Sequence, residues 1–402
     1  MHFGSTGVTG LLLVALAACA NDPAGQRTVV RDSSGIAIVT NTRPVWDSDG
    51  WSLAGEPELR IGVVDGDSAY QLHRVRGALR LSDGRIVITN DGSREVRYFD
   101  AAGKHLISVG RSGQGPGEFM SMLALIPARA DTVLVGDNAL GRISVFDSDG
   151  ELVGTRPGVA PVGVLPDGSV VSQLRRRPPN HSFQNGPSRD EALLIRHPPD
   201  NVGADTIARL EGNESVTLIE SDGRTSGATG YARPFGLVRM TSTHGNSIHT
   251  ADGAQPEIRV LDANGSLQRI VRLDLPGRPV TAADQTAYRE RFLGMIPPGP
   301  SRDRAENALE GDAFPEFLPA FQTLRHDRVG NLWLEDYRAD PAEPPRWTVL
   351  DPEGRWLGSV ATPPGFRVAD IGDDYVLGIA RDELDVEHVL LYTLRKEAAA
   401  PE

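Results

Sequence analysis

The sequence predicts an all-β protein, a six-bladed β-propeller whose ring is closed by a strand near the amino end joining the carboxyl-terminal blade, with one short helical insertion. Three observations predict it. The stretch from Ala78 to Phe119 spells a complete unit: short apolar runs at Ala78 to Leu81, Ile86 to Thr89, Val96 to Phe99 and Leu106 to Val109 alternate with Asp83-Gly84, Asn90-Asp91-Gly92 and Asp100 to Gly103. Connections this short join antiparallel neighbours, so the unit is a four-stranded meander of about forty residues, the size of one blade. A second observation is a turn that repeats, at Phe99-Asp100 to Gly103, Phe146-Asp147 to Gly150, Leu261-Asp262 to Gly265 and Leu350-Asp351 to Gly354. Asp there bonds nearby backbone N–H groups and Gly supplies positive φ, which a hairpin built on a type I turn with a bulge requires. Lastly, the two ends complement each other. Phe366 to Lys396 offers three strands, at Ile371, Val376 to Ala380 and Val389 to Leu394, while Glu58 to Val64 is a strand with no blade of its own. Joining them removes the open sheet edges that invite aggregation.

The remaining elements follow in order. Residues 1–18 read as a signal peptide and 19–34 as a lipidated tether, polar and rich in Pro, Gly and Ser from Asn21 to Ser34. Gly35 to Asn41 alternates like a strand and pairs with Thr28 to Arg31 across Asp32 to Gly35. The propeller occupies 35–396, and 397–402 form a tail. A degenerate unit fills Val162 to Leu210, with Leu193 to Arg196 as its third strand. Between Asp262 and Asp351 the chain has room for one unit and an insertion. Within that insertion Thr281 is a cap, Asp284 stands three residues later, and Tyr288 and Phe292 share a helix face before Gly294 and Pro297-Pro298. Ser301 to Glu310 reads as a second short helix, so 281–310 is a helical insertion on one face.

Of the 402 residues, 44 are Gly and 29 Pro, a load of turn formers that suits a many-stranded array. A net charge of −13 excludes the clustered basic surface that nucleic acid needs. The one cysteine, Cys19, ends a mostly apolar run from Val8 that is too short to span a bilayer. Leu16-Ala17-Ala18-Cys19 resembles the lipobox of bacterial lipoproteins, in which the thiol carries a diacylglyceryl group; a secretory peptide cut near Ala18 or Ala20 is the alternative. Lipidation implies an exported protein of the bacterial cell envelope, anchored to a membrane and facing the periplasm or cell surface.

Strand direction assigns the faces. If each inner strand runs from top to bottom, loops after second strands and links between blades all lie on top. The long insertions, Arg175 to Asp190, Glu211 to Pro234 and Arg278 to Pro319, fall in those two classes, so one face is elaborated and is expected to carry binding. Second strands end in acids, at Asp91, Asp137, Asp252, Asp336 and Asp382, and in Arg175, Arg176 and Arg177 in the third blade. A ring of carboxylates suits Ca²⁺ or a cationic ligand, and the arginines an anionic group. The same acids at turns equally satisfy local backbone donors without a ligand. The histidines fall at unrelated places in their units, and His244 and His249 are poorly spaced for a metal pair.

The run Gly110 to Phe119 after a fourth strand, the Gly330 to Trp333 turn, and Asp373 to Gly378 with Asp382 to Leu384 resemble bacterial six-bladed β-propeller proteins related to the NHL-repeat group. That resemblance implies the fold and often a lipoprotein. It implies little about activity, because the group includes binding scaffolds, lyases and lactone hydrolases. The expectation is therefore an exported, lipid-anchored propeller that binds a small ligand or protein partner on its elaborated face, with no cofactor and no catalysis assigned. The alternative is a lactonase-like hydrolase or lyase that holds Ca²⁺ with carboxylates at the channel mouth.

Overall fold

The meander read from Ala78 to Phe119 is a blade in the computed structural model, which describes residues 27–46, 50–177, 186–200, 202–221 and 226–396. Four strands precede it: β1 (Thr28–Ser33), β2 (Ile36–Asn41), β3 (Trp51–Leu53) and β4 (Leu59–Ile61). Blade one holds β5 (Val75–Arg80), β6 (Ile86–Asn90), β7 (Glu95–Phe99) and β8 (His105–Val109); blade two holds β9 (Met122–Pro127), β10 (Val133–Asp137), β11 (Arg142–Phe146) and β12 (Leu152–Pro157). Blade three has five strands, β13 (Pro161–Val164), β14 (Val170–Arg176), β15 (Gly186–His197), β16 (Asp205–Ser221) and β17 (Ser226–Ala232). Blade four comprises β18 (Met240–His244), β19 (Ser247–Ala251), β20 (Glu257–Leu261) and β21 (Leu267–Leu273). Helices α1 (Ala282–Gly294) and α2 (Pro300–Asn307) lead to blade five, β22 (Phe321–His326), β23 (Leu332–Asp336), β24 (Arg346–Leu350) and β25 (Trp356–Ala361). Blade six supplies β26 (Arg367–Ile371), β27 (Tyr375–Arg381) and β28 (Glu387–Lys396).

Ring closure follows the expected route. β4 pairs antiparallel with β28, Leu59 opposite Leu391 and Ile61 opposite Val389. Farther along β28, β3 pairs with Leu394 to Lys396. The strand read as Glu58 to Val64 is the shorter Leu59–Ile61. Apolar clusters then join each blade to the next; one of them packs Ile61, Ile86 and Phe99 against Leu377 and Val389, across the seam. Each such side chain contributes about 1.5–3 kcal/mol by leaving water.

The repeated turn forms as its residues dictate. Oδ1 of Asp100, Asp147 and Asp262 each accepts two backbone N–H bonds, and that of Asp351 accepts one from Arg355. The glycines at 103, 150, 265 and 354 have φ between 81° and 88°. In every copy the register slips at the apolar residue before Asp. The link after blade one works similarly: Gly110 has φ 93°, and a Cβ there would meet the buried Phe119 ring at 2.8 Å.

Two expectations are corrected. The tether assigned to 19–34 overlaps β1, whose pairing with β2 runs from Thr28 opposite Asn41 to Ser33 opposite Ile36. This hairpin lies parallel against β21, as extra outer strands of blade four. The alternating apolar side of Gly35 to Asn41 showed a strand but not which sheet would take it. Asn41 pins it there: its buried amide donates to Gly354 O at 3.0 Å and accepts from Trp356 N at 3.0 Å. Val45 and Trp46 then bond to Trp356 and Leu357 of blade five, and Trp51 packs on Trp46 and on Trp333. The described part of residues 28–61 thus straps blades four, five and six from outside.

The blade-three insertions are the second correction. Where described, they are prolonged strands rather than loops, with Gly186 opposite Thr217 and Ser215 opposite Ala232. Their alternation lies within polar, Gly-bearing sequence that reads as loop. The helix signal holds, with Thr281 and Asp284 forming a reciprocal capping box. Tyr288 and Phe292 serve packing: Phe235 meets Tyr288, Phe314 and Tyr337 edge-on or tilted at 5.2–6.3 Å, and Phe292 meets Tyr231 at 6.1 Å. Arg233 donates to Ala313 O, and Arg278 donates to Tyr337 O. The insertion therefore bridges blade three to blade five at the end of the ring where second strands turn into third strands, termed the insertion end.

Candidate binding channel

Each inner strand, β5, β9, β13, β18, β22 and β26, runs from the insertion end to the opposite end, where tight turns lead into second strands. A larger and a smaller cavity lie between these strands among the described residues. The larger, of about 750 Å³, occupies the turn end and is bordered by all six blades, for example by Leu79, Ile126, Val164, Ser242, Thr323 and Asp370. The smaller, of about 170 Å³, lies towards the insertion end beside Arg76 and Arg367. Arg325 borders both and stands at the waist of the channel.

At that waist three arginines, Arg76, Arg325 and Arg367, border the smaller cavity. Arg325 donates through Nη1 to Ala369 O at 3.1 Å, and its buried Nε has no partner among the described residues. Arg367 donates to Val75 O at 2.7 Å and to Arg76 O at 3.3 Å. Burial, and then the neighbouring Arg367, lower the pKa of Arg325; burial also lowers that of Arg367, with Arg76 adding to the effect and Glu387 opposing it. Among the described residues no carboxylate lies within 4.0 Å of either group. Arg76 does reach Asp91, at 3.3 Å.

Two histidines of the chamber wall, His244 and His326, belong to an unexpected imidazole cluster with His249 behind them. His244 and His326 end adjacent inner strands and stack at 5.5 Å, and His249 meets His326 edge-on at 4.4 Å. The sequence reading placed these residues at unrelated positions; aligning blades four and five by their inner strands makes His244 and His326 equivalent. Ser242 Oγ lies 3.0 Å from His326 Nδ1. Burial holds His326 well below its usual value, aided by His249 and His244, so the ring is neutral at pH 7. Among the described residues no group of three His, Cys, Asp or Glu side chains is arranged to hold a metal.

The acids singled out in the sequence all end second strands or follow them, and each is engaged locally. Asp91 is fully buried, accepts from Met122 N of blade two at 3.1 Å, and pairs with Arg74, Arg76 and Arg94. Asp137 accepts from the backbone of Met120, Ser121, Ala139 and Leu140 at 2.6–3.1 Å. Asp252 bridges Arg189 at 2.7 Å and Arg239 at 3.0 Å. Asp336 accepts from Thr348 Oγ1 at 2.9 Å. Asp382 accepts from Leu384 N and Val386 N and pairs with His388 at 2.9 Å. Arg175 pairs with Asp190, Arg176 Nε stands 4.0 Å from Glu191, and Arg177 directly follows β14. None of these eight residues borders either cavity. Cys19 lies outside the described residues.

Arg325 and Arg367 were missed because a strand's period shows which side chains alternate, not which reach an axis. The available signal was a basic pair, Arg325-His326, closing an inner strand whose equivalents in blades one and two are mostly apolar.

Comparison with known proteins supports this architecture. Residues 72–157 match a family, DUF5128, described as a 6-bladed beta-propeller. No curated protein matches the sequence. Among solved structures, a Bacteroides fragilis protein described as exported is similar at a TM-score of 0.50 and 11% identity, covering 90% of this chain and 100% of its own. A Bacteroides vulgatus member of the duf4221 family gives 0.46 and 8%, covering 87% and 100%. A gluconolactonase of Xanthomonas campestris gives 0.40 and 14%, covering 81% and 87%. At such identities the likeness extends to the fold, and the chain is a six-bladed β-propeller.

Proposed function

We propose that this protein is an exported, lipid-anchored propeller of the bacterial cell envelope that receives a small ligand in its channel and performs no chemistry of its own. The observation that carries the binding reading is the chamber at the turn end, about 750 Å³ and walled by all six blades. That volume is within the range of small-molecule sites, and its wall combines apolar side chains with polar and charged ones such as Thr323, Arg325 and Asp370. The elaborated face supports binding less well. Its helices and prolonged strands are occupied by the aromatic contacts around Phe235 and by bonds between blades three and five.

Lipidation of Cys19 rests on its lipobox-like setting, and export agrees with the description of the Bacteroides fragilis protein of this fold. No helix of the described residues is long and apolar enough to cross a membrane. The strap then orients the molecule. β2 runs parallel to β21 towards the insertion end, and β1 returns antiparallel, so Thr28 stands at the insertion end. The residues between Cys19 and Thr28 reach about 30 Å at most. A lipid on Cys19 therefore keeps the insertion end near the membrane and turns the chamber mouth away from it.

A thermal-shift screen of small molecules, run on the wild type and on Thr323→Phe, which fills the chamber, tests the binding reading. It expects compounds that stabilise the wild type and lose that effect in the variant. Stabilisation of both proteins alike, or of neither by any compound, contradicts it. Membrane fractionation of Cys19→Ser tests the anchor: release into the soluble fraction is expected, and retention in the membrane overturns it.

A further inference from the structure

We infer that the waist of the channel is an oxyanion site, in which Arg325 and Arg367 hold the carboxylate or phosphate of a small molecule whose remainder fills the chamber. This rests on the channel reading above and adds the chemistry of the ligand. A guanidinium stays charged under physiological conditions and carries five N–H donors. Arg325 satisfies one of them on Ala369 O while its Nε stays buried and unpartnered. Arg367, its neighbour, donates to the carbonyls of Val75 and Arg76.

At two other buried sites charge is matched by charge. Arg97 bonds Glu95 and three carbonyls, and Asp91 meets three arginines. At the waist Arg325, whose Nε is buried, and the more exposed Arg367 stand as neighbours without a carboxylate within 4.0 Å among the described residues. Like charges so placed repel, and a buried charge without a partner is costly. An oxyanion between them removes both penalties and accepts forked bonds that a lysine does not offer. Arg325 is also the one charged residue among those that border both cavities, so a head group held there leaves its tail in the larger chamber, among Leu125, Ile126, Val164 and Leu324. The ligand is thus an amphiphilic molecule with one anionic end.

The test uses inorganic phosphate and hexanoate as probes, each compared with chloride at equal ionic strength, on the wild type, Arg325→Met and Thr323→Phe. The wild type is expected to melt higher with rising phosphate and hexanoate, and Arg325→Met to show no such rise. Thr323→Phe should retain the response to phosphate, which needs only the waist, and lose that to hexanoate. Equal responses of the wild type and Arg325→Met overturn the oxyanion site. If a compound from the screen loses its effect in Thr323→Phe but binds Arg325→Met as it binds the wild type, the chamber stands and the oxyanion site falls. Should Arg325→Met fail to fold, wild-type crystals soaked in bromide decide: an anomalous peak beside Arg325 and Arg367 supports the site, and its absence contradicts it.

Discussion

The carboxylate of Glu387, on the last strand of the chain, accepts a hydrogen bond from the backbone N–H of Val75 at 2.7 Å, where the inner strand of blade one begins. The two residues are 312 positions apart. Blade one joins blade two in the same way, through Asp91 and the N–H of Met122. A carboxylate on the outgoing hairpin of one blade thus fixes the inner strand of the next, and Glu387 makes that bond across the seam of the ring.

Replacing Glu387 by Ala leaves the Val75 N–H unmet in a buried setting and frees Arg381, whose Nη2 lies 3.0 Å from the other oxygen. A loss of about 1–3 kcal/mol is expected, read as a lower urea midpoint. Gln at this position keeps an acceptor and should recover part of the loss. An unchanged midpoint in the Ala variant contradicts the seam role.

Asn41 holds the strap to blade four through a bond to Arg272 O and to blade five through bonds to Gly354 O and Trp356 N. Asn41→Ala should cost about 1–3 kcal/mol and speed proteolysis within residues 28–46 before the rest of the chain. Cleavage no faster than in the wild type would show that the hairpin is held by other means.

Burial pushes the carboxyl of Asp336 up to about 6, against the bond from Thr348. Its folded value exceeds its unfolded one, so its contribution is full below pH 3.8 and is lost as pH rises through 6. His249 has the opposite sign: burial, then Arg269 and His244, lower it to about 4, so its contribution is full above 6.5 and is lost as pH falls through 4. The two slopes oppose each other on acidification. Asp336→Asn removes one of them, and should be roughly 2–3 kcal/mol more stable at neutral pH and lose stability more steeply in acid than the wild type. Urea midpoints across that range check both signs.

The acids after the second strands are satisfied by backbone donors, arginines, the Thr348 hydroxyl at Asp336 and His388 at Asp382. Millimolar Ca²⁺ is therefore expected to leave the melting temperature unchanged, whereas Asp91→Ala, which strands three arginines and the Met122 N–H, should cost about 3 kcal/mol or more. A Ca²⁺-induced rise in melting temperature that vanishes in Asp137→Asn would restore the metal-dependent alternative.

How much of this was legible in the sequence depended on the range of the interaction. The Asp-x-x-Gly turn is local chemistry, so the hairpins at Asp100, Asp147, Asp262 and Asp351 were readable, as was the capping box of Thr281 and Asp284. Closure by Leu59–Ile61 was readable because an incomplete blade and an unpaired strand must find each other. The parallel docking of β2 on β21 was not, since an alternating strand fits any free sheet edge and the choice rests on Asn41 meeting Gly354 and Trp356. Nor was the waist. Arg76, Arg325 and Arg367 come from blades one, five and six, and only the closed ring brings them together.

Binding in the chamber and at the waist both require that residues 51–61 complete the sixth blade, because without closure there is no channel. Ser52 and Arg395 are directly opposed across β3 and β28, and both are exposed. With Cys19 changed to Ser, the double variant Ser52→Cys, Arg395→Cys should form an intramolecular disulfide on mild oxidation of the folded protein, seen as a mobility shift that reducing agent reverses. Two thiols that remain free in the folded protein under those conditions would contradict the ring.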